Sequence, residues 1–250
     1  MRKKLTQTLL AAFCAILLAT PLEGGGVMLI GIRNAMLAGS GSQPSGGYWG
    51  LCFTAEQANS TVAMVANDSA PSVNLLYSTD AANWSPFVVG TTTVTLASVG
   101  DKVWLKAGSG GNTTIGAPRY YNKFSLSGLV AASGSVMSLL NGEQETYAFS
   151  ESCVFQRLFN GCTALTTAPT LPATTLTSNC YARMFFRCSS LSSITVDFSV
   201  FNPTNATSSW IYGVAANGTF YCPTALGTNE TITRGVTYCP EGWTVINTDA

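Results

Sequence analysis

Phe155-Gln-Arg-Leu-Phe-Asn-Gly-Cys-Thr-Ala-Leu165 and Tyr181-Ala-Arg-Met-Phe-Phe-Arg-Cys-Ser-Ser-Leu191 are two copies of one phrase, closely spaced along the chain. Phe155 recurs as Tyr181, Leu158 as Met184, Phe159 as Phe185, Cys162 as Cys188 and Leu165 as Leu191. In each copy the first four of these positions fall at i, i+3, i+4 and i+7, which predicts a short helix with one apolar stripe. Neither stripe can bury itself alone. A fixed period of about 20 to 50 residues with that property predicts a stacked solenoid, each unit covering its neighbour, and such arrays mostly bind partners.

The repeat extends outward in both directions. After the first copy, Thr-Ala-Pro-Thr-Leu-Pro-Ala-Thr-Thr-Leu occupies residues 167–176. Pro169 and Pro172 remove two amide donors and fix φ, so this return path is neither helical nor central in an ordinary sheet. It suits the outer turn of a coil. After the second copy, Leu191, Ile194, Val196 and Phe198 begin a partial third unit, with Trp210, Ile211 and Val214 as its helical face and Thr219 to Tyr221 as a strand. Upstream, residues 128–142 read as a degenerate first unit.

Residues 48–127 follow another rule. The runs 51–54, 61–66, 73–78, 92–96, 102–106 and 122–126 are rich in β-branched and aromatic side chains and separated by turn residues. Strands so closely spaced predict a small β-sandwich of immunoglobulin-like architecture. The fold class is therefore mainly β: a sandwich over 48–127, a short repeat solenoid with short helices over 128–220, and a C-terminal cap over 221–250.

With Leu158-Phe159-Asn-Gly-Cys162-Thr-Ala-Leu165 and Met184-Phe185-Phe-Arg-Cys188-Ser-Ser-Leu191-Ser-Ser-Ile194 in view, the chain resembles the BspA-like leucine-rich-repeat proteins of gut and oral bacteria and their phages. The resemblance spans Val130 to Cys222. It implies adhesion or partner binding without catalysis. The order of parts, ending in Gly-Trp-Thr-Val-Ile-Asn at 242–247, also looks like a group of small proteins from gut bacteria and phages.

Residues 1–27 have two readings. Arg2, Lys3 and Lys4 ahead of an apolar run from Leu9 to Ala19 read as an export signal, too short to span a bilayer. Alternatively, Glu23-Gly-Gly-Gly-Val-Met28 back-translates to a ribosome-binding-like stretch before an internal start at Met28, leaving 1–27 as untranslated leader. The first places the product outside the cell or on its surface; the second suits a virion component, and then a homo-oligomer. Residues 28–47 form a docking segment and a Gly/Ser linker.

Composition narrows the chemistry. Charged residues are 10% of the 250, against about 25% in an average soluble domain. Beyond residue 27 there remain nine basic and eleven acidic side chains, so nucleic acid has no electrostatic reason to bind. With no histidine, the usual general base and most mixed zinc sites are missing. No acid pair sits in a recognisable glycosidase setting. No catalytic residue, cofactor or metal site is expected, and no stable membrane span.

Of the eight cysteines, Tyr221-Cys222-Pro223 and Tyr238-Cys239-Pro240 mirror each other, making Cys222 with Cys239 the best disulfide candidate. Cys162 and Cys188 occupy equivalent places on adjacent units and read as packed thiols. Ser78 to Trp84 reads as a turn held by Asp80 and pinned by a buried Trp84. Trp49, Trp104, Tyr120 and Tyr121 are candidates for stacking on a glycan, although packing roles suit each of them. Seven Asn-x-Ser/Thr sequons, at Asn59, Asn67, Asn83, Asn112, Asn205, Asn217 and Asn229, follow from the abundance of Ser and Thr.

Together these features predict a non-enzymatic surface module that binds a protein or glycan ligand, with a phage structural or receptor-binding appendage as the alternative. The stacked strands near Thr195 are the expected binding side.

Overall fold

The computed structural model describes residues 50–142 and 148–249. The leader, the docking segment, the linker and Trp49 lie outside the described residues. Strands follow in the order β1 (Cys52–Ala55), β2 (Ser60–Ala66), β3 (Leu75–Ser78), β4 (Ser85–Phe87), β5 (Thr93–Leu96), β6 (Lys102–Ala107), β7 (Gly116–Ala117), β8 (Tyr120–Ser127) and β9 (Val130–Ser133). A single helical turn, α1 (Ser138–Asn141), precedes β10 (Leu165–Thr167), β11 (Ser193–Thr195), β12 (Thr219–Cys222) and β13 (Thr244–Asn247). All six runs predicted between 51 and 126 contain strands; β4, β7 and β9 were not anticipated.

The chain is mainly β, in two sheets. One has four strands in the order β5-β2-β8-β7, and the other has nine, in the order β13-β12-β11-β10-β9-β1-β6-β3-β4. Alternation explains the smaller sheet: Val62 and Met64 on β2, Val94 and Leu96 on β5, and Phe124 on β8 are buried while their neighbours face outward. Phe53 on β1 meets Phe124 edge-on at 4.9 Å, joining the two layers. On β6 the strict alternation fails, because Trp104 is buried along with Val103 and Leu105.

The larger sheet changes character at β9. That strand pairs antiparallel with β1, Ala132 opposite Phe53, and parallel with β10, Val130 opposite Leu165. Beyond it every pairing is parallel: Thr167 opposite Ser193, Ser193 opposite Thr219, and Thr219 opposite Thr244. The first two of these steps equal the offset between Phe155 and Tyr181, and the last is shorter by one. The spacing of the two sequence copies therefore persists into the segment predicted as a cap. Because β9 pairs with both β1 and β10, one sheet spans the boundary predicted at 127/128, and the described residues from Gly50 onward belong to one compact unit.

The helices predicted for the repeat are not there. Between Cys153 and Cys162 the chain makes consecutive turns: the amides of Gln156, Leu158, Asn160 and Cys162 donate to the carbonyls three residues earlier. The alternate amides, those of Cys153, Phe155, Arg157, Phe159 and Gly161, donate sideways to Ser178, Cys180, Ala182, Met184 and Phe186 on the next rung. The second copy repeats this towards the third, with Tyr181, Arg183, Phe185 and Arg187 donating to Ala206, Ser208, Trp210 and Tyr212. Left-handed φ recurs every fourth residue, at Cys153, Arg157 and Gly161, then at Asn179, Arg183 and Arg187, then at Ser209 and Gly213. A turn with positive φ at its third residue is the type II geometry. Such turns repeat every four residues, close to the helical 3.6, so both structures place i, i+3, i+4 and i+7 on one side. The apolar stripe is as expected, and the backbone that carries it is a turn ladder.

The proline-bearing return path is more buried than an outer turn. Pro169, Leu171, Pro172 and Ala173 are buried. Thr170 bridges to Ser135 and Leu171 to Val196, so the rungs on both sides set its spacing.

Candidate functional site

The turn ladder sorts its side chains into inward and outward columns. Inward lie all the predicted repeat residues: Phe155, Leu158, Phe159, Leu165, Tyr181, Met184, Phe185, Cys188 and Leu191 are fully buried, and Cys162 is 2% exposed. Equivalent rings stack from rung to rung. Phe159 lies on Phe185 at 5.6 Å and 17°, and Phe155 on Tyr181 at 6.2 Å and 8°. Phe124 of β8 stacks on Phe159 at 5.1 Å, extending the column into the antiparallel region. These residues hold the rungs together and offer nothing to a ligand.

The cysteines belong to the same interior. Cys188 Sγ donates to the Phe159 carbonyl at 3.0 Å and Cys162 Sγ to the Phe124 carbonyl at 3.2 Å. Burial pushes the Cys162 thiol up to about 12 and that of Cys188 well above its ordinary value. Such thiols are poor nucleophiles. Cys222 and Cys239, the disulfide candidates, are buried free thiols, also raised chiefly by burial, to about 12 and about 11. Cys239 instead receives the Arg234 guanidinium at 3.6 Å, which also donates to the carbonyls of Pro240 and Trp243.

Outward, the second copy carries Arg183, Phe186 and Arg187, with Arg157 before them and Tyr212 after. Arg157 and Arg183 are equivalent on adjacent rungs, as are Phe186 and Tyr212, whose rings stack at 5.0 Å and 19°. The Arg183 and Arg187 guanidinia lie over Phe186 at 5.8 and 5.3 Å, and Arg157 covers Tyr121 of β8 at 4.9 Å. Lys123, two residues along β8, reaches the Asn160 carbonyl. Arg183, Arg187 and Tyr212 are exposed. From Ser152 to Gly213 the sequence holds these three arginines and one carboxylate, Asp197, which follows β11 and interacts with buried Tyr181. The face is therefore cationic and aromatic. No family model, characterised protein or solved structure matches the chain, so its function has to be argued from this geometry.

The other candidates fall elsewhere. Thr195 lies half-buried on β11, in line with Tyr221 and Ile246, an uncharged strand surface. Of the aromatics proposed for stacking, Trp104 is buried, Tyr120 is 42% exposed, and Tyr121 lies beneath Arg157. Asp80 holds its turn as expected, accepting from the amides of Asn83 and Ala82 and from the Ser78 hydroxyl. These bonds, those from Asn83 foremost, hold its carboxyl well below the usual carboxylate range. Trp84 is half-buried, under Lys106 at 4.1 Å. An open cleft of about 360 Å³ between β3–β4 and the smaller sheet is lined by Pro71, Leu75, Pro86, Phe87 and Asn122 among others, none of them ionisable. Several sequon asparagines are structural: Asn67 bonds to Arg119 and Tyr121, and Asn112 to Asn74 and Leu139.

The outward columns were missed at the sequence level, although a signal was present. Arg157 and Arg183 occupy the same place in the two quoted phrases. Residues 183, 186 and 187 fall at i, i+3 and i+4 and share a side in a helix as well as in the ladder, and this second stripe is masked in the sequence by the stronger apolar one.

Proposed function

We propose that this protein is a non-enzymatic surface-binding module, in which an immunoglobulin-like β-sandwich carries a short BspA-like leucine-rich-repeat solenoid whose outer face recognises a ligand. The observation carrying this reading is the division of each rung into a packed inward column and an outward cationic and aromatic one. Parallel strands recurring at nearly equal intervals along the chain support the solenoid assignment, and the Phe53–Phe124 contact between layers supports the sandwich. The outward arginines form no ion pair among the described residues, so their charge is available to a partner. Among those residues no helix is long and apolar enough to cross a membrane.

The test is saturable binding of the purified full chain to bacterial and host cell surfaces and to a glycan array. Binding abolished by charge reversal at Arg183 and Arg187 is the expected outcome. Absence of binding to every surface, together with assembly into particles, would replace this reading by that of a phage structural component. A glycosidase activity lost on changing one acid would overturn it.

A further inference from the structure

Resting on the binding-module reading, we infer that the outer face of the turn ladder takes an anionic glycan, its carboxylate or sulfate groups held by Arg157, Arg183 and Arg187 and a sugar ring by exposed Tyr212, which Phe186 backs. The first support is backbone strain. Arg187 has φ 62° and stands in the same column as Gly161 on the rung before and Gly213 on the rung after, with φ 79° and 76°. The repeat itself thus shows glycine to be the unstrained choice in that column. Arg183 and Arg157 likewise sit at φ 53° and 62°. Non-glycine residues persist in such conformations where the side chain has a task that outweighs the cost.

The second support is the state of these side chains. All three guanidinia lie over aromatic rings, which orients the planar forks; Arg183 and Arg187 are exposed, whereas Arg157 is half-buried with its Nε enclosed, so that it reaches a partner only through the end of its fork. A guanidinium fork matches carboxylate or sulfate oxygens in pairs. Meanwhile the rung amides are consumed within the ladder, so the face offers no backbone groups for adding a peptide strand. What it offers is charge and π-surface, the pair of features that engage a sugar's acid group and its C–H face. The column is open on one side and packed on the other: a Cβ built at Gly161 would meet nothing within 4 Å, whereas one at Gly213 would touch Arg187 Cα at 3.5 Å and Cγ at 3.7 Å. Three guanidinia in a chain of formal net charge zero are too few for the long-range attraction on which nucleic-acid binding depends.

The experiment compares the full chain with its Arg183→Gly/Arg187→Gly and Tyr212→Ser variants on immobilised polygalacturonate, dextran sulfate, neutral dextran, poly-L-glutamate and a single-stranded oligonucleotide. Salt-sensitive binding to polygalacturonate, dextran sulfate or both is expected, and which of them binds distinguishes carboxylate from sulfate. Neutral dextran should not bind. The double arginine variant should lose about ten-fold or more in affinity and Tyr212→Ser about three-fold, as fits charge-assisted pairs and one stacking contact. Melting temperatures that do not fall in the double variant separate lost contacts from lost folding. Failure to bind either anionic glycan, equal binding by the double variant, or equal or tighter binding of poly-L-glutamate or the oligonucleotide would overturn the inference. Cell-surface binding that survives without glycan binding would sink the ligand class and leave the binding-module reading standing.

Discussion

The two halves of the nine-stranded sheet bury the same kinds of side chain but encode them by different rules. In the antiparallel half and the smaller sheet over it, burial alternates along β2, β5 and β8, and strand partners are brought together by chain reversals. In the parallel half each strand contributes only three or four residues, and most of the packing comes from the turn ladder between strands. The first half needs no repeat, because cross-strand pairs complete it locally. The second depends on its neighbours at every rung, since alternate amides find acceptors only on the next copy. Stacking on β9 and Phe124 starts the series, which explains why so few rungs suffice.

The harshest test of this comparison is Phe159→Ala. Phe159 stacks on both Phe124 and Phe185 and lies 6.2 Å from Phe53, so it belongs to both halves. Its truncation is expected to cost about 3–5 kcal/mol in urea unfolding, with one transition reported alike by probes in either half. Two separate transitions would show that the halves fold independently despite the shared sheet.

Alkali should weaken the repeat half more than the other. Cys162, Cys180 and Cys222 hold their protons up to about 12 in the fold, against 9.0 for an ordinary thiol, chiefly through burial. A raised folded value means that the stabilisation is whole below 9.0 and is lost as the pH climbs towards 12. Thermal melts at increasing pH should be flat to 9.0 and then fall, with thiol labelling rising in parallel. The absence of any decline above 9.0, with labelling as fast as that of a free thiol, would show these thiols to be accessible. At the smaller end, Thr207 is buried with its hydroxyl unpaired. Thr207→Val should raise stability by about 1 kcal/mol, whereas a loss would reveal a partner for that hydroxyl.

Much of this architecture was legible in the sequence. Alternation marked strands such as β2 and β5, and the recurrence of Phe, Cys and Leu marked the packed rungs, including the inward direction of every repeat residue. What could not be read was the backbone beneath the stripe. Periods of 3.6 and 4 diverge by less than half a residue per turn, and a phrase as short as Phe155 to Leu165 does not separate them. The deciding information is the left-handed φ at Arg157, Arg183 and Arg187, imposed by amides bonding to the next rung, distant in sequence. Propensity does not reveal it, because arginine rarely adopts that conformation. The candidate site is a second stripe: Arg183, Phe186 and Arg187 share a side at i, i+3 and i+4 in a helix as in the ladder, and the stronger recurrence of Phe, Cys and Leu masks it. Short strands such as β4 and β7 were missed because Ser-Pro-Phe and Gly-Ala carry no alternation.

The most direct test of the turn ladder compares Arg183→Ala with Arg183→Gly by chemical denaturation. Both remove the side chain and its contact with Phe186, so the difference isolates the backbone. In a helix the alanine variant would be the more stable by about 1 kcal/mol. At φ 53° the order reverses, and the glycine variant should be the more stable by about 1–2 kcal/mol. Greater stability of the alanine variant would contradict the ladder and restore the helix.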